Sequence, residues 1–215
     1  VGNKRFRAIV EKGDEVVVPS PYGVRYSGWN GLGGGTTVAG PADAWRGFRV
    51  SVERLEAARR PGREALVFVS PSNPTGDVYP PDEVAAIGRW AAEHGIWVIT
   101  DEIYRELVYG DARFTTMPAV APEVAPRTVI VDGVAKGYAM TGWRVGWTIA
   151  PRESTAGITK LQAQMCSNVN NVAQSGALAA LTGPQGAVAE MRVAFDRRRR
   201  TAYRMLAAIE GLEVI

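Results

Sequence analysis

The stretch Ala65-Leu66-Val67-Phe68-Val69-Ser70-Pro71-Ser72-Asn73-Pro74-Thr75-Gly76 joins an apolar run to a turn built of Ser, Asn, Pro and Gly. The run does not alternate with polar residues, which is the pattern of a strand covered on both faces. Glu15 to Pro19, Ile96 to Thr100, Thr128 to Val131 and Val145 to Ile149 read the same way. Helical periodicity fills the intervals. Val52 to Arg59 is a short helix. A longer one starts at Pro80-Pro81-Asp82-Glu83, with prolines at its entry and acids in its first turn, and ends at His94-Gly95. Ser154 to Leu181 is helical with an interruption near Ser167-Asn168, and Pro184 to about Ile209 reads as one long amphipathic helix. Gly31 to Gly35 reads as a plain turn. Strands alternating with helices predict an α/β fold of three layers, with a mostly parallel sheet in the middle.

Composition narrows the function. The chain has 215 residues, 46% of them hydrophobic and 22% charged, so it can build a substantial core. A net charge of +3 from 25 basic and 22 acidic residues gives no argument for nucleic acid. The one dense basic run, Arg197 to Arg200, reads as the solvated face of a helix, with a phosphate or acidic partner as the alternative. With one histidine, His94, at a helix end, a histidine-based triad or a histidine-rich metal site is not expected. Cys166 is the one cysteine, so an intrachain disulfide is impossible, which fits a reducing cytoplasm; it is expected to be buried or half-buried. No apolar run reaches the roughly 20 residues that span a bilayer, and the first residues show no secretory hydrophobic segment.

In a parallel sheet, ligands gather beyond the carboxyl ends of the strands. Asn73-Pro74-Thr75-Gly76, Asp101-Glu102-Ile103-Tyr104, and Lys136 followed by Met140-Thr141-Gly142-Trp143-Arg144 all fall there. Taken singly, each has a plainer reading: a turn, a helix cap, a core tyrosine, a surface lysine, an ion-paired arginine. The order and the intervals, 28, 35 and 8 residues from Asn73 to Asp101 to Lys136 to Arg144, make the set specific.

This set resembles the signature of the fold-type I aminotransferases, in particular the aspartate aminotransferase-like group, and the resemblance runs from about Lys4 to the C-terminus. It implies a large domain that binds pyridoxal 5′-phosphate. Lys136 matches the lysine that forms the Schiff base with the cofactor and then serves as acid and base for the substrate α-proton. Asp101 matches the partner of the pyridine nitrogen. Asn73 and Tyr104 match the residues that hydrogen-bond the ring's phenolic oxygen, with a cis bond expected between Asn73 and Pro74. Arg144 matches the clamp on the phosphate, a task suited to its planar fork. The resemblance further implies amino-acid and 2-oxo-acid substrates and a homodimer with its sites near the subunit interface.

Two positions depart from the family pattern. Ala135 stands where many relatives carry a serine that gives a hydroxyl to the phosphate. Gly23 stands where relatives often stack an aromatic residue on the ring; Tyr22, its neighbour, is expected to point elsewhere. Residues 1–183 read as the cofactor-binding large domain lacking its beginning, and residues 184–215 as the helix leading to a small C-terminal domain. Both ends read as cut. The chain opens in what reads as mid-helix, Lys4 to Glu11, and closes on the start of a strand. The arginine for the substrate carboxylate is expected beyond Ile215, and the phosphate cup before Val1 or altered at Gly2-Asn3-Lys4. The expected activity is transamination. Other outcomes on the same cofactor (oxidation, elimination, cyclisation), an effector-sensing domain of a transcription regulator, and an inactive remnant are the alternatives.

Overall fold

The computed structural model describes residues 9–40, 42 and 44–214. Gly2-Asn3-Lys4 and most of the Lys4–Glu11 segment lie outside them. Among the described residues, six strands form one sheet: β1 (Glu15–Pro19), β2 (Thr36–Gly40), β3 (Arg63–Val69), β4 (Trp97–Asp101), β5 (Thr128–Gly133) and β6 (Gly146–Ile149), in the spatial order β2-β1-β3-β4-β5-β6. All neighbours pair in parallel except β5 and β6, which are antiparallel. The mostly parallel α/β fold expected from the sequence is therefore present.

Alternate residues along the strands feed two separate cores, as a period of two requires. On one face, Val17, Leu66, Phe68 and Val98 pack with Leu55 of helix α2 (Val52–Ala58) and with Val84, Ile87, Trp90 and Ala91 of helix α3 (Pro81–Glu93). On the other, Val16, Val18, Ala65, Val67 and Ile99 pack with Tyr26 of helix α1 (Arg25–Gly33). The buried positions of α3 recur at three- and four-residue spacing, Pro81 occupies its first turn with Asp82 and Glu83, and Gly95 follows its end at φ +64°. Short helical turns at Met117–Val120 (α4) and Pro122–Arg127 (a 3₁₀ turn) close the first core through Met117 and Val124.

Two elements differ from the sequence reading. Gly31 to Gly33 end α1 instead of forming a turn, and the turn itself begins at Gly34, left-handed at φ +95°. Beyond it lies β2, a short edge strand with a single buried residue, Gly40. Its small and hydroxylated residues carry no apolar run for a sequence pattern to detect.

After β6 come helices α5 (Arg152–Cys166), α6 (Asn171–Thr182) and α7 (Gly186–Ala207). The break between α5 and α6 falls where the sequence placed it, with Ser167 at positive φ and the Asn170 side chain accepting from the Ala173 amide. α5 and α7 bury no residue, and α6 buries Ala173 and Ala177. Cys166, at the last position of α5, is exposed. That corrects the expectation of burial: Ser154, Gly157, Ile158, Leu161 and Gln162 form a half-buried face of α5, and that cover stops short of Cys166 at the helix end. In the basic run, Arg199 and Arg200 pair with Asp196 at 2.6 and 2.9 Å, in keeping with a solvated helix face.

Phe68 is 1% exposed and its ring lies 4.7 Å from that of Tyr79. Phe68→Ala is expected to cost about 3–5 kcal/mol, because the packed ring is lost and its cavity only partly collapses. Urea unfolding of the variant against the parent chain measures it.

Candidate active site

The register of the sheet sets the geometry. Val69 pairs with Asp101, and Asp101 with Val131, so β3, β4 and β5 deliver their following loops side by side at one edge. The loop after β3 is braced by its own groups. The Ser72 amide donates to the Asp77 carbonyl at 2.8 Å, the Gly76 amide to the Ser72 carbonyl at 3.0 Å, and the Tyr79 amide to Ser70 Oγ at 3.1 Å. Arg49 ties Asp77 to Glu83 of α3 through contacts of 2.7 and 3.0 Å. The Ser70–Pro71 and Asn73–Pro74 bonds are both cis, the second as expected. This frame holds Asn73 exposed at the loop tip.

Asn73 Nδ2 donates to the Tyr104 hydroxyl at 3.2 Å. Lys136 Nζ stands 5.5 Å from the centre of the Tyr104 ring. Tyr104 thus joins the loops that follow three different strands. Asp101, the last residue of β4, is 9% exposed; its Oδ1 accepts from the Ile103 amide at 3.2 Å and its Oδ2 from the Tyr26 hydroxyl at 2.8 Å. Lys136 sits on a tight turn closed by the Ala139 amide on its own carbonyl, at 3.1 Å. Gly133 and Gly146 face each other across β5 and β6, where a Cβ on Gly133 would come 2.7 Å from the Val145 carbonyl. Their lack of side chains lets β6 start close beside the lysine turn. Arg144, at φ +59°, follows the 3₁₀ turn Thr141–Trp143, and its Nη1 donates to the Thr141 carbonyl at 2.8 Å. Among the described residues it makes no hydrogen bond to the other four.

A second set of acids lines the same edge. Glu102 is 4% exposed, and its Oε1 accepts from Thr100 Oγ1 at 3.2 Å and Thr116 Oγ1 at 2.6 Å. Burial pushes its carboxyl above the usual range despite those donors. Asp132 is raised for the same reason, while Arg105 Nε lies 3.0 Å from its Oδ2 and the Gly133 amide donates to its Oδ1 at 2.7 Å.

Tyr26 is the residue at this edge that reading the sequence missed. Its signal was the three-residue spacing of Tyr26 and Trp29, hidden by Gly28, Gly31 and Gly33 in the same segment. Tyr22 packs against the second core. A Cβ at Gly23 would meet Tyr26 Cε2 at 3.8 Å and the Asn73 carbonyl at 4.0 Å, both ordinary contacts. Neither packing nor a left-handed backbone therefore demands glycine there. Two open grooves lie elsewhere. One, of about 450 Å³, runs between α2 and α3 past Arg46, Glu83 and Trp90; the other, of about 580 Å³, runs between residues 105–114 and α7.

The donor set fits pyridoxal 5′-phosphate in kind. A buried carboxylate suits a protonated ring nitrogen, a joined phenol and amide suit a phenolic oxygen, a half-buried amine suits an aldehyde, and a guanidinium suits a phosphate. A mostly parallel α/β sheet presenting that set at its carboxyl edge is the arrangement of the fold-type I class. A profile described as "Aminotransferase class I and II" matches residues 4–215. The chain is 57% identical over 207 residues to an aspartate aminotransferase of Streptomyces avermitilis, covering 96% of this chain and 51% of that protein. It is 39% identical over 210 residues to an asparagine–oxo-acid transaminase of Streptococcus mutans, covering 98% and 53%. The crystal structure of the aspartate aminotransferase from Rhizobium meliloti superposes with a TM-score of 0.95 at 36% identity, over 98% of this chain and 53% of that one. The chain belongs to the class I and II aminotransferase family, and it spans about half the length of the curated relatives it matches.

The Glu102 shift predicts a pH effect. A carboxyl raised in the folded state favours folding below its ordinary value of 4.5, and that contribution is lost as pH rises through the carboxyl range. Glu102→Gln keeps an acceptor for both threonines and does not titrate. Its stability relative to the parent chain is expected to improve between about pH 4 and pH 7, measured by urea unfolding at each pH.

Proposed function

We propose that this chain carries the cofactor site of a pyridoxal-phosphate-dependent aminotransferase that moves an amino group between an amino acid and a 2-oxo acid. The observation that carries the reading is Tyr104, bonded to Asn73 and overlaid by Lys136, three residues beyond the buried carboxylate of Asp101. The names of the relatives favour aspartate or asparagine as amino donor.

The roles follow from the chemistry of each group. When bound, the cofactor supplies the electron sink that makes the substrate's α-proton removable. Lys136 Nζ would hold the cofactor and would then take and return that proton. Asp101 keeps the ring nitrogen protonated. The Asn73 amide and Tyr104 hydroxyl donate to the phenolic oxygen. The Arg144 guanidinium would hold the phosphate. Without a hydroxyl at Ala135, Arg144 bears more of that charge.

In this reading residues 1–183 belong to the cofactor-binding domain, and residues 184–215 lead toward a smaller domain that supplies the carboxylate-binding arginine. The protein works in the cytoplasm as a homodimer; the exposed Val172 and Leu178 of α6 suit a covered surface. Among the described residues no helix is long and apolar enough to cross a membrane. The space at Gly23 supports a second reading, in which the same cofactor serves a different outcome.

Borohydride reduction of the cofactor-loaded protein followed by peptide mapping is expected to label Lys136; label on Lys160 instead would refute the assignment. Asp101→Ala is expected to lower turnover of aspartate with 2-oxoglutarate by several kcal/mol of transition-state stabilisation, on the order of 100-fold or more, while the far-UV spectrum is unchanged. Near-normal turnover in that variant would mean that Asp101 does not face the ring.

A further inference from the structure

We propose that Tyr26 is a positioning residue for the cofactor ring, acting through Asp101: its hydroxyl fixes the carboxylate that faces the ring nitrogen. This rests on the reading of Asp101 given above.

The Tyr26 ring is 8% exposed and belongs to the core cluster of Val16, Val18, Val67 and Ile99. Its edge-to-face contact with Trp29, at 5.7 Å and 88°, holds the ring in one orientation. The hydroxyl at the end of this rigid arm donates to Asp101 Oδ2 at 2.8 Å, while the Ile103 amide reaches Oδ1 at 3.2 Å. The two donors come from different elements, α1 on one side and the segment after β4 on the other. Together they fix the plane of the carboxylate, and each oxygen keeps lone-pair capacity for a further donor.

Burial and the neighbouring Asp101 charge push the Tyr26 hydroxyl well above its ordinary range, so it stays protonated and remains a donor. Tyr104 and Arg25 are the other ionisable groups acting on it, and their effects on its proton are opposite in sign. A buried ring in this place satisfies packing without a hydroxyl. The hydroxyl earns burial only by being bonded, and its partner is the carboxylate at the chemical edge. A core tyrosine with no link to function would be expected to bond a backbone carbonyl as readily.

The consequence is electronic as well as steric. A donor on Oδ2 withdraws negative charge from the carboxylate, so removing it leaves a stronger negative field on the ring and favours the protonated form of the bound cofactor. It also removes one of the bonds that orient the carboxylate.

The test is a double-mutant cycle on the cofactor-loaded protein, reading the pH midpoint of the bound cofactor's visible absorption change. Tyr26→Phe keeps the ring and its packing. The expected result is an upward move of that midpoint by about half a unit or more, a fall in turnover on the order of tenfold and little change in KM. Cofactor affinity, measured by equilibrium dialysis of the apoprotein, should weaken in parallel. In an Asp101→Asn background the same Tyr26→Phe change should leave the midpoint where it is. An unmoved midpoint in Tyr26→Phe, or an equal move with and without Asp101, overturns the proposal. If the parent protein loads no cofactor on Lys136, the reading of the site fails first, and this proposal with it.

Discussion

Parallel pairing in register between β3, β4 and β5 places Val69, Asp101 and Val131 in one row across the sheet. Each strand therefore ends at the same level, and three polar loops emerge together although they are far apart in sequence. Slipping one strand by a single residue would turn its apolar set from one core to the other and its terminal residue from the edge to the opposite face. Because Val67 serves one core and Phe68 the other, such a slip would bury the wrong side chains in both layers at once. The packing on both faces is what makes the row of strand ends reliable.

That edge concentrates buried charge. Asp101, Glu102 and Asp132 are all at or below 9% exposure, with Arg105 as the cation beside Asp132. Burying carboxylates is costly unless each finds donors. Here the donors are amides of the same loops, two threonine hydroxyls, one guanidinium and the Tyr26 phenol. The loops are thus held in place by the acids they carry. Removing one member leaves another unpaired, and for that reason substitutions here alter more than one residue's surroundings.

Much of this was legible in the sequence, for physical reasons. Leu66 to Val69 and Val98 to Thr100 are covered on both faces, so their composition alone marks them as central strands. Asn73, Asp101, Tyr104 and Lys136 are polar residues directly after such runs, and the structure draws Asn73, Tyr104 and Lys136 into contact. What stayed hidden lies where local pattern and tertiary role part company. β2 is an edge strand of small residues, and α1 is interrupted by Gly28 and Gly31, so neither shows its period. Tyr26 was lost with α1. Its importance comes from a partner 75 residues away, a distance no periodicity reports. Cys166 failed in the opposite sense: an apolar-looking helix position is exposed because the half-buried face of α5 ends at Gln162, one turn before it.

The antiparallel strand β6 reverses the direction of travel. Gly146 lies opposite Gly133, near the lysine turn, whereas Ile149 lies opposite Ile130, further back along the sheet. The polypeptide thus quits the sheet heading away from the edge where Asp101 and Lys136 sit. Every loop that carries the chemistry precedes this reversal. The helices that follow nevertheless come back to those turns: Gly176 of α6 packs against the Trp143 ring, and Gln185 accepts from the Tyr138 hydroxyl at 3.1 Å.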